Sequence, residues 1–231
     1  MKRLWSCLLT LIFLPACVNL LLAGDNKDVA LLFKSTGKVE VYQADKKIWS
    51  SGSRGSRLNS GDKIRTGYES FAAILFTDDK SLMKVRAGSD LLIQGERNES
   101  SIAKRIFMEV GEVFVSVKKQ NTVFRLETPT GVAAVKGTEF YGLVDQEGNM
   151  SIIAIKGIVE LINKYGSILL SAGETGSSDG KNPPGKKNTD DQPNWGADQE
   201  PTPDEMEIEF KSPNGDMKKL KIRTKTKGSQ E

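Results

Sequence analysis

The 231-residue sequence contains no histidine, and both of its cysteines, Cys7 and Cys17, lie within the first 17 residues. Without histidine the chain cannot form a Ser-His-Asp triad, a Cys-His pair, or a histidine-ligated zinc or haem site. Beyond Cys17 it has no thiol for a disulfide or a cysteine-ligated metal. We therefore expect no cofactor, no metal and no disulfide in the body of the protein, and no catalytic residues of the common nucleophilic classes.

The sequence also lacks a large excess of charge of either sign. The 33 Lys and Arg residues are balanced by 30 Asp and Glu residues, which leaves a formal net charge of +3. This excess is too small to predict a nucleic-acid partner. The hydrophobic fraction of 38% is typical of a globular domain and not of a polytopic membrane protein.

The first 24 residues are typical of an export signal. Basic Lys2 and Arg3 precede an apolar stretch over residues 4–14. Three outcomes are open: cleavage after Ala23, retention as a membrane anchor, or lipidation of Cys17, since Leu-Pro-Ala-Cys resembles a bacterial lipobox. Each places the rest of the chain outside the cytoplasm, in the periplasm or cell envelope, with membrane contact only through the signal or a lipid anchor.

Short apolar alternations separated by turn residues run from Val29 to Ala172, and such a pattern predicts an all-β domain over residues 25–175. The strand-like segments are 39–41, 72–76, 113–117, 124–126, 140–144, 152–155, 159–161 and 168–170. One short helical interruption is plausible over residues 100–107. Recurrent turn-strand units fit a β-solenoid, or β-helix-like fold, as well as a β-sandwich.

Residues 176–205 are rich in proline and poor in apolar residues. Such a segment cannot bury enough surface to offset the entropy of ordering, so we predict a disordered linker.

Alternating apolar residues return over 206–225 and predict a β-hairpin. A three-residue loop would place Phe210 opposite Leu220 and Ile208 opposite Ile222, with the charged residues on the other face. An isolated hairpin is marginal in water, so we expect its apolar face to dock on the main domain.

The segment TPTGVAAVKGTEF, residues 128–140, resembles the signature of the FecR-like domain. The turn GDKIRTG, residues 61–67, is similar to that family's "GD-x-I-x-TG" turn, and the order and spacing of the flanking segments agree over about residues 30–175. Lys136 stands where the family usually has arginine. The residues that carry the resemblance are Gly61, Asp62, Thr66, Thr128, Pro129, Lys136, Gly137, Thr138, Glu139 and Phe140.

This resemblance implies an extracytoplasmic, all-β module of solenoid type. In the regulators that define the family, the module receives a signal from an outer-membrane transporter, and a cytoplasmic anti-sigma segment carries it onward. Only three residues precede the apolar stretch here, so we expect no such segment. The main prediction is a non-catalytic binding module of the bacterial envelope. The alternatives are an extracytoplasmic component of a sigma-regulator-type signalling system that acts through a partner chain, and a carbohydrate-active enzyme.

We expect the signature residues to hold the fold rather than a ligand, with Glu139 partly buried and paired with Lys136 or Arg65. The carboxylate pair Asp78-Asp79 is typical of a turn and not of a catalytic pair, since Lys80 follows directly. An envelope protein is a better partner than a glycan, because few aromatic residues are placed to stack on sugars. Trp49 and Tyr68 are the best candidates for that role.

Overall fold

A computed structural model describes residues 28–98, 101–190 and 192–193, together with the backbone of residues 206–211 and 217–222. No helix occurs in this part of the chain, which confirms the all-β class. The strands are β1 (Asp28–Thr36), β2 (Val39–Gln43), β3 (Ile48–Ser51), β4 (Arg57–Asn59), β5 (Lys63–Thr66), β6 (Phe71–Phe76), β7 (Leu82–Val85), β8 (Asp90–Arg97), β9 (Ile102–Ser116), β10 (Phe124–Glu127), β11 (Val132–Val135), β12 (Glu139–Val144), β13 (Met150–Lys156), β14 (Ile158–Asn163), β15 (Gly166–Ser171), β16 (Glu174–Ser178), β17 (Gly185–Asn188), β18 (Met206–Lys211) and β19 (Met217–Ile222).

The strands pair in two runs that share β9. Sheet A has the order β4-β1-β6-β7-β9-β12-β13-β16-β17. Sheet B has the order β3-β2-β5-β8-β9-β10-β11-β14-β15. The β9–β10 pair is parallel and the other pairs are antiparallel. The first part of β9 lies in sheet B and the part from Gly111 to Ser116 in sheet A, so this strand joins the two runs.

One hydrophobic core draws on both sheets. Phe124 of sheet B lies between Phe76 and Phe140 of sheet A, with ring centroids 5.9 Å and 6.4 Å apart, and all three are fully buried. Alternate residues of each strand supply this core because successive side chains of a strand point to opposite faces. Each large apolar side chain buried in this way contributes roughly 1.5–3 kcal/mol. The choice between solenoid and sandwich stays a prediction.

The helical interruption over residues 100–107 is wrong, because β9 begins at Ile102. Burial alternates along this strand, with Ile102, Lys104 and Ile106 buried and their neighbours less so. The period of two is that of a strand with one face on the core. A lysine in a core position hides this period from a count of apolar residues.

Paired strands also extend past the predicted start of the linker at residue 176. β16 pairs with β13, and β17 pairs with β16 as far as Asn188. A side chain at Gly176 would meet Leu170 at 2.6 Å and Leu161 at 2.8 Å, so β16 packs tightly although its sequence, ETGSS, is polar. Its order comes from close backbone packing and hydrogen bonds instead of apolar side chains. Residues 191 and 194–205 of the predicted linker lie outside the described residues, as does the export signal with Cys17.

The predicted hairpin is present as β18 and β19, which pair antiparallel. Its register differs from the prediction by two positions, because Ile208 lies opposite Leu220 and Met206 opposite Ile222. Five residues, 212–216, separate the strands in place of the predicted three. A shift of two preserves the side-chain period, so the alternating apolar positions still share one face. Docking on the main domain stays a prediction.

The described residues contain no helix that could span a membrane.

Candidate functional site

Asp62 of the GD turn is a structural tie. Its side chain is buried, and its two carboxylate oxygens accept hydrogen bonds from the backbone N–H groups of Ala44, at 2.9 Å, and Asn59, at 2.8 Å. Its carbonyl accepts a third from the Ile93 N–H at 2.8 Å. Gly61 precedes it with φ of 97°, a conformation that favours glycine. The turn therefore holds the β2–β3 connection, β4 and β8 together.

Thr66 ties the end of β5 to the turn between β7 and β8. Its hydroxyl donates to the Arg86 carbonyl at 2.6 Å and accepts from the Ser89 N–H at 3.0 Å. The neighbouring Arg65 points to the outer face of sheet B, where its guanidinium donates two hydrogen bonds to Asp90, at 2.7 Å and 3.0 Å. These hydrogen bonds raise the pKa of Arg65. Thr66 is thus a fold residue and Arg65 a surface residue.

The Thr128-Pro129-Thr130-Gly131 turn is closed by local hydrogen bonds and anchored to β16. The Thr128 hydroxyl accepts from the Gly131 N–H at 3.1 Å and, in a second contact, donates to the Gly131 carbonyl. The Ser178 hydroxyl donates to the Thr130 carbonyl at 2.7 Å, and the Thr130 hydroxyl contacts the Ser178 carbonyl at 3.1 Å. Ser178 is itself buried. Sequence reasoning missed this residue because it lies in a polar stretch 48 positions from its partner.

Gly137, Thr138 and Phe140 hold the start of β12. The Thr138 hydroxyl donates to the Ile158 carbonyl at 3.0 Å, and its carbonyl accepts from the Val117 N–H at 2.9 Å. Gly137 has φ of 110°, and a Cβ there would lie 2.9 Å from the Lys119 Cα. Phe140 enters the core described above.

Glu139 is half-buried as predicted, but its partner is neither Lys136 nor Arg65. Its Oε1 lies 3.8 Å from Nζ of Lys156, the residue opposite it on β13. Arg65 pairs with Asp90 on the other sheet, and Lys136 is exposed. The partner of Glu139 is therefore set by the pairing of β12 with β13. Such a cross-strand partner cannot be inferred from nearness in sequence.

Gly137→Val is expected to lower the free energy of unfolding by about 1–3 kcal/mol, because it combines a positive φ with a close approach to the Lys119 backbone. Gly55→Val is the matched control, since Gly55 has φ of 88° and no atom lies within 4 Å of the position that a Cβ would take there. Urea denaturation of both variants measures the difference. If the two variants lost the same stability, the close approach at Gly137 would have no cost.

A buried ion cluster is the main site that sequence reasoning missed. Lys104 is fully buried, and its Nζ donates to Asp78 Oδ2 at 2.7 Å, to Asp79 Oδ2 at 2.9 Å and to Gln120 Oε1 at 3.1 Å. Nζ also lies 5.5 Å from the centre of the Phe76 ring. We call these four polar residues the Lys104 cluster. It brings together the β6–β7 turn, the start of β9 and the segment before β10.

The two carboxylates of this cluster neutralise one buried cation. Burial raises the pKa of Asp78, but hydrogen bonds from Lys104 and the Ile102 N–H outweigh burial and leave the pKa below its ordinary value. An anionic Asp78 held by a lysine is poorly suited to donate a proton to a glycoside. The pair Asp78-Asp79 does lie in a turn, as predicted, and it also holds the core.

The outer edges of sheet B carry most of the large exposed apolar side chains. β15 pairs with β14 alone among the described strands, and β3 pairs with β2 alone. Ile158, Tyr165 and Leu169 of the β14–β15 hairpin are 57%, 49% and 59% exposed. Ile48 and Trp49 of β3 are the counterparts at the other edge. Which strand lies at an edge depends on the topology, so the sequence alone did not indicate this patch.

The two aromatic residues singled out for sugar stacking have different surroundings. The Trp49 ring lies 4.7 Å from the Arg65 guanidinium carbon and 5.4 Å from the Tyr42 ring. Tyr68 is 90% exposed in the turn that follows β5. The Arg65 guanidinium therefore already occupies one stacking face of the Trp49 ring. Among the described ring contacts, none joins Trp49 to Tyr68, so these two residues do not form a shared surface for a sugar.

Residues 62–160 match the family model of the FecR protein. The match includes the whole TPTG-to-Phe140 signature and the Lys104 cluster. Two crystal structures of a "putative anti-sigma factor" from Parabacteroides distasonis ATCC 8503, at 1.65 Å and 2.50 Å resolution, are similar to this chain at 21% sequence identity. Their TM-scores are 0.47 and 0.48, and the match covers 55% of this chain and 60% of theirs. No curated protein matches the chain.

Proposed function

We propose that the protein is an exported, non-catalytic binding module of the bacterial cell envelope. Its partner is an extended segment of an envelope protein, which adds as a strand along β15. The observation that supports this most strongly is that β15 pairs with no described strand other than β14 and that the β14–β15 hairpin carries three exposed apolar side chains.

An unpaired edge presents a row of backbone N–H and C=O groups to which another chain can pair. Leu169 lies opposite Glu160, two residues from Ile158, so Leu169 and Ile158 lie diagonally on one face. Single exposed apolar residues are ordinary, whereas three on one hairpin form a patch that a partner can cover. Two backbone groups of β15 already have side-chain partners: the Leu169 carbonyl accepts from the Lys186 ammonium at 3.4 Å, and the Ser171 N–H donates to Glu174 Oε2 at 2.7 Å. An added strand would replace these contacts.

A protein partner fits better than a glycan. The Arg65 guanidinium lies against Trp49, and the edge patch is mostly aliphatic. Main-chain pairing gives affinity and side-chain contacts give specificity in this recognition mode. The match to the FecR family model supports the signalling alternative, in which this protein is an extracytoplasmic component of a sigma-regulator-type system and acts through a partner chain.

We expect no catalysis because the polar side chains that could act as catalytic groups are bonded within the fold. Asp62, Thr66, Thr128 and Thr138 hydrogen-bond to backbone groups, and Asp78 and Asp79 bind Lys104. These groups stabilise the fold and are not presented to a substrate. Export places the module in the periplasm or on the envelope, which the signal-like residues 1–24 support.

Capture from an envelope extract tests the proposal with a matched pair of variants. Leu169→Lys places a charge on the proposed edge, whereas Ile48→Lys makes the same kind of change at the opposite edge of sheet B. We expect Leu169→Lys to reduce the recovery of the specifically bound protein by about tenfold or more, and Ile48→Lys to leave it within about twofold. Both variants should melt close to the unaltered protein. Equal recovery by the two variants, or a loss confined to Ile48→Lys, would contradict binding at β15.

A further inference from the structure

The outer face of sheet A carries an apolar cluster separate from the core. Its members come from five neighbouring strands: Phe33, Phe71, Ala73, Leu82, Phe114 and Tyr141. We call this surface the aromatic face. The Phe114 and Tyr141 rings lie 5.0 Å apart, and the Lys34 and Lys84 ammonium groups lie 5.7 Å and 5.4 Å from the Phe71 and Phe114 ring centres.

Two positions on the aromatic face are as buried as core residues. Phe71 is 4% exposed and Ala73 is 0% exposed, although they alternate with Ala72 and Ile74, which face the core. On sheet A a third outward position, Ile153, is only 8% exposed. An outer sheet face open to solvent is normally polar, because alternating residues there do not contact the core. The aromatic face therefore has the composition of a covered surface.

The outer face of sheet B has a different character. Arg65 pairs with Asp90 there, and Arg105 pairs with Glu127 at 2.6 Å. These exposed ion pairs favour water over an apolar neighbour. Between its two edge hairpins, the outer face of sheet B is therefore less suited to an apolar occupant than the outer face of sheet A.

The hairpin of β18 and β19 has a complementary pattern. Its register places Met206 opposite Ile222 and Ile208 opposite Leu220, and these pairs alternate with Glu207 opposite Lys221. Phe210, the next position on the apolar side, lies opposite Lys218 at the turn end of the hairpin. Cross-strand partners lie on the same face, so the register gives the hairpin one mainly apolar face, interrupted by Lys218, and one mainly charged face. The two strands form a sheet of their own and join no ladder of the 17-stranded sheet in the described part of the chain. A two-stranded hairpin is marginal alone, and face packing is the way left to stabilise it.

The connection is long enough for such packing. β17, the last strand before the hairpin, lies at the edge of sheet A and is separated from β12 by β16 and β13. Three strand spacings amount to about 14 Å. Residues 189–205, which link β17 to β18, can span up to about 56 Å when extended.

We infer that the hairpin of residues 206–222 packs its apolar face against the aromatic face of sheet A in the same chain. In this arrangement the hairpin covers the aromatic face. The opposite side of the hairpin, with Glu207 and Glu209 paired with Lys221 and Lys219, faces solvent. This contact is independent of the proposed binding edge at β15, which lies at the margin of sheet B. An intramolecular cover of this kind keeps the aromatic face from self-association, and its removal would expose the face to a partner.

Site-specific photocrosslinking of the full chain tests the inference. A benzophenone amino acid replaces Tyr141 on the aromatic face or, as the control, Leu169 on the outer face of sheet B. After irradiation, proteolysis and mass spectrometry identify the linked peptides, and a mixture of light and 15N-labelled chains distinguishes contacts within one chain from contacts between chains. We expect the probe at position 141 to link to residues 206–222 of its own chain, with at least about tenfold less linkage from position 169.

Three results would overturn the inference. Linkage from position 141 between light and heavy chains would show that a second copy covers the face. Linkage only to segments other than 206–222 would show another occupant. Equal linkage to the hairpin from both positions would show no preferred docking surface. Binding at β15 is measured by the capture experiment and hairpin docking by crosslinking, so either proposal can fail without the other.

Discussion

Lys104→Met is expected to lower the free energy of unfolding by about 3–5 kcal/mol, because it removes the only cation bonded to two buried carboxylates in the described structure. Methionine retains most of the volume of the lysine stem, so cavity formation contributes little to this loss. The cost comes from leaving Asp78, 4% exposed, and Asp79, 15% exposed, without compensation. Urea denaturation followed by tryptophan fluorescence measures it.

The pH dependence identifies the cause of that loss. In the unaltered protein the pKa of Asp78 is lowered, so its contribution is present above the ordinary value of 3.8 and is lost as pH falls through the lowered value. Without Lys104, burial dominates and the pKa of the carboxyl rises, so the variant gains stability, relative to the unaltered protein, as pH falls from neutral towards about pH 4. The stability difference should therefore narrow on acidification.

Lys38→Met is the matched control for this substitution. Lys38 lies 3.3 Å from Glu40, but its side chain is 72% exposed, and removing such a pair costs no more than about 1 kcal/mol. If Lys104→Met behaved like Lys38→Met, or if its deficit did not change between neutral and acidic pH, the Lys104 cluster would not hold the fold electrostatically.

Gly111→Ala is expected to be the most damaging single-methyl change in the domain, at about 3–5 kcal/mol. Gly111 is the position at which β9 passes from sheet B to sheet A, and it has φ of 126°. A Cβ there would lie 2.2 Å from the Ser89 Oγ and 2.6 Å from the Ser89 Cα. The backbone of one of the two segments must move, which would disturb the joint between the sheets.

Gly88→Ala separates the steric part of this effect from the conformational part. Gly88 lies in the adjacent turn with φ of 71°, but a Cβ there would have no neighbour within 4 Å. Its expected cost is about 1 kcal/mol, the ordinary penalty of a positive φ for alanine. Thermal denaturation of both variants measures the difference. Equal melting temperatures would show that the approach of Gly111 to Ser89 is not a constraint.

Much of the fold could be predicted because most strands have a simple apolar alternation. The segments 113–117 and 140–144 combine that pattern with a nearby preceding glycine, and strands cover both of them almost entirely. The sequence of residues 102–107 does not indicate a strand, because Lys104 interrupts the apolar alternation at a core position. Its charge is balanced by Asp78 and Asp79, which are distant in sequence. β16 is hidden for a related reason: Ser178 is ordered by hydrogen bonds to Thr130 and not by apolar burial.

The sites were less predictable than the strands. The FecR resemblance identified turns that the structure shows to be held by backbone hydrogen bonds, but the partner of Glu139 depended on strand pairing. The aromatic face had a usable signal, since Phe114 lies between Val113 and Val115 and such a run indicates a strand that is apolar on both faces. The hairpin register depended on the length of the connection between its strands, which the alternation does not specify.

The proposed binding of an envelope protein along β15 is tested most directly by hydrogen exchange. Exchange is measured by mass spectrometry on the chain alone and in complex with the protein that it captures. Strand addition predicts that amides within residues 166–171 exchange at least about tenfold more slowly in the complex, while those within residues 48–51 are unchanged. Protection at residues 48–51 or around Tyr68, with none at residues 166–171, would contradict binding at β15.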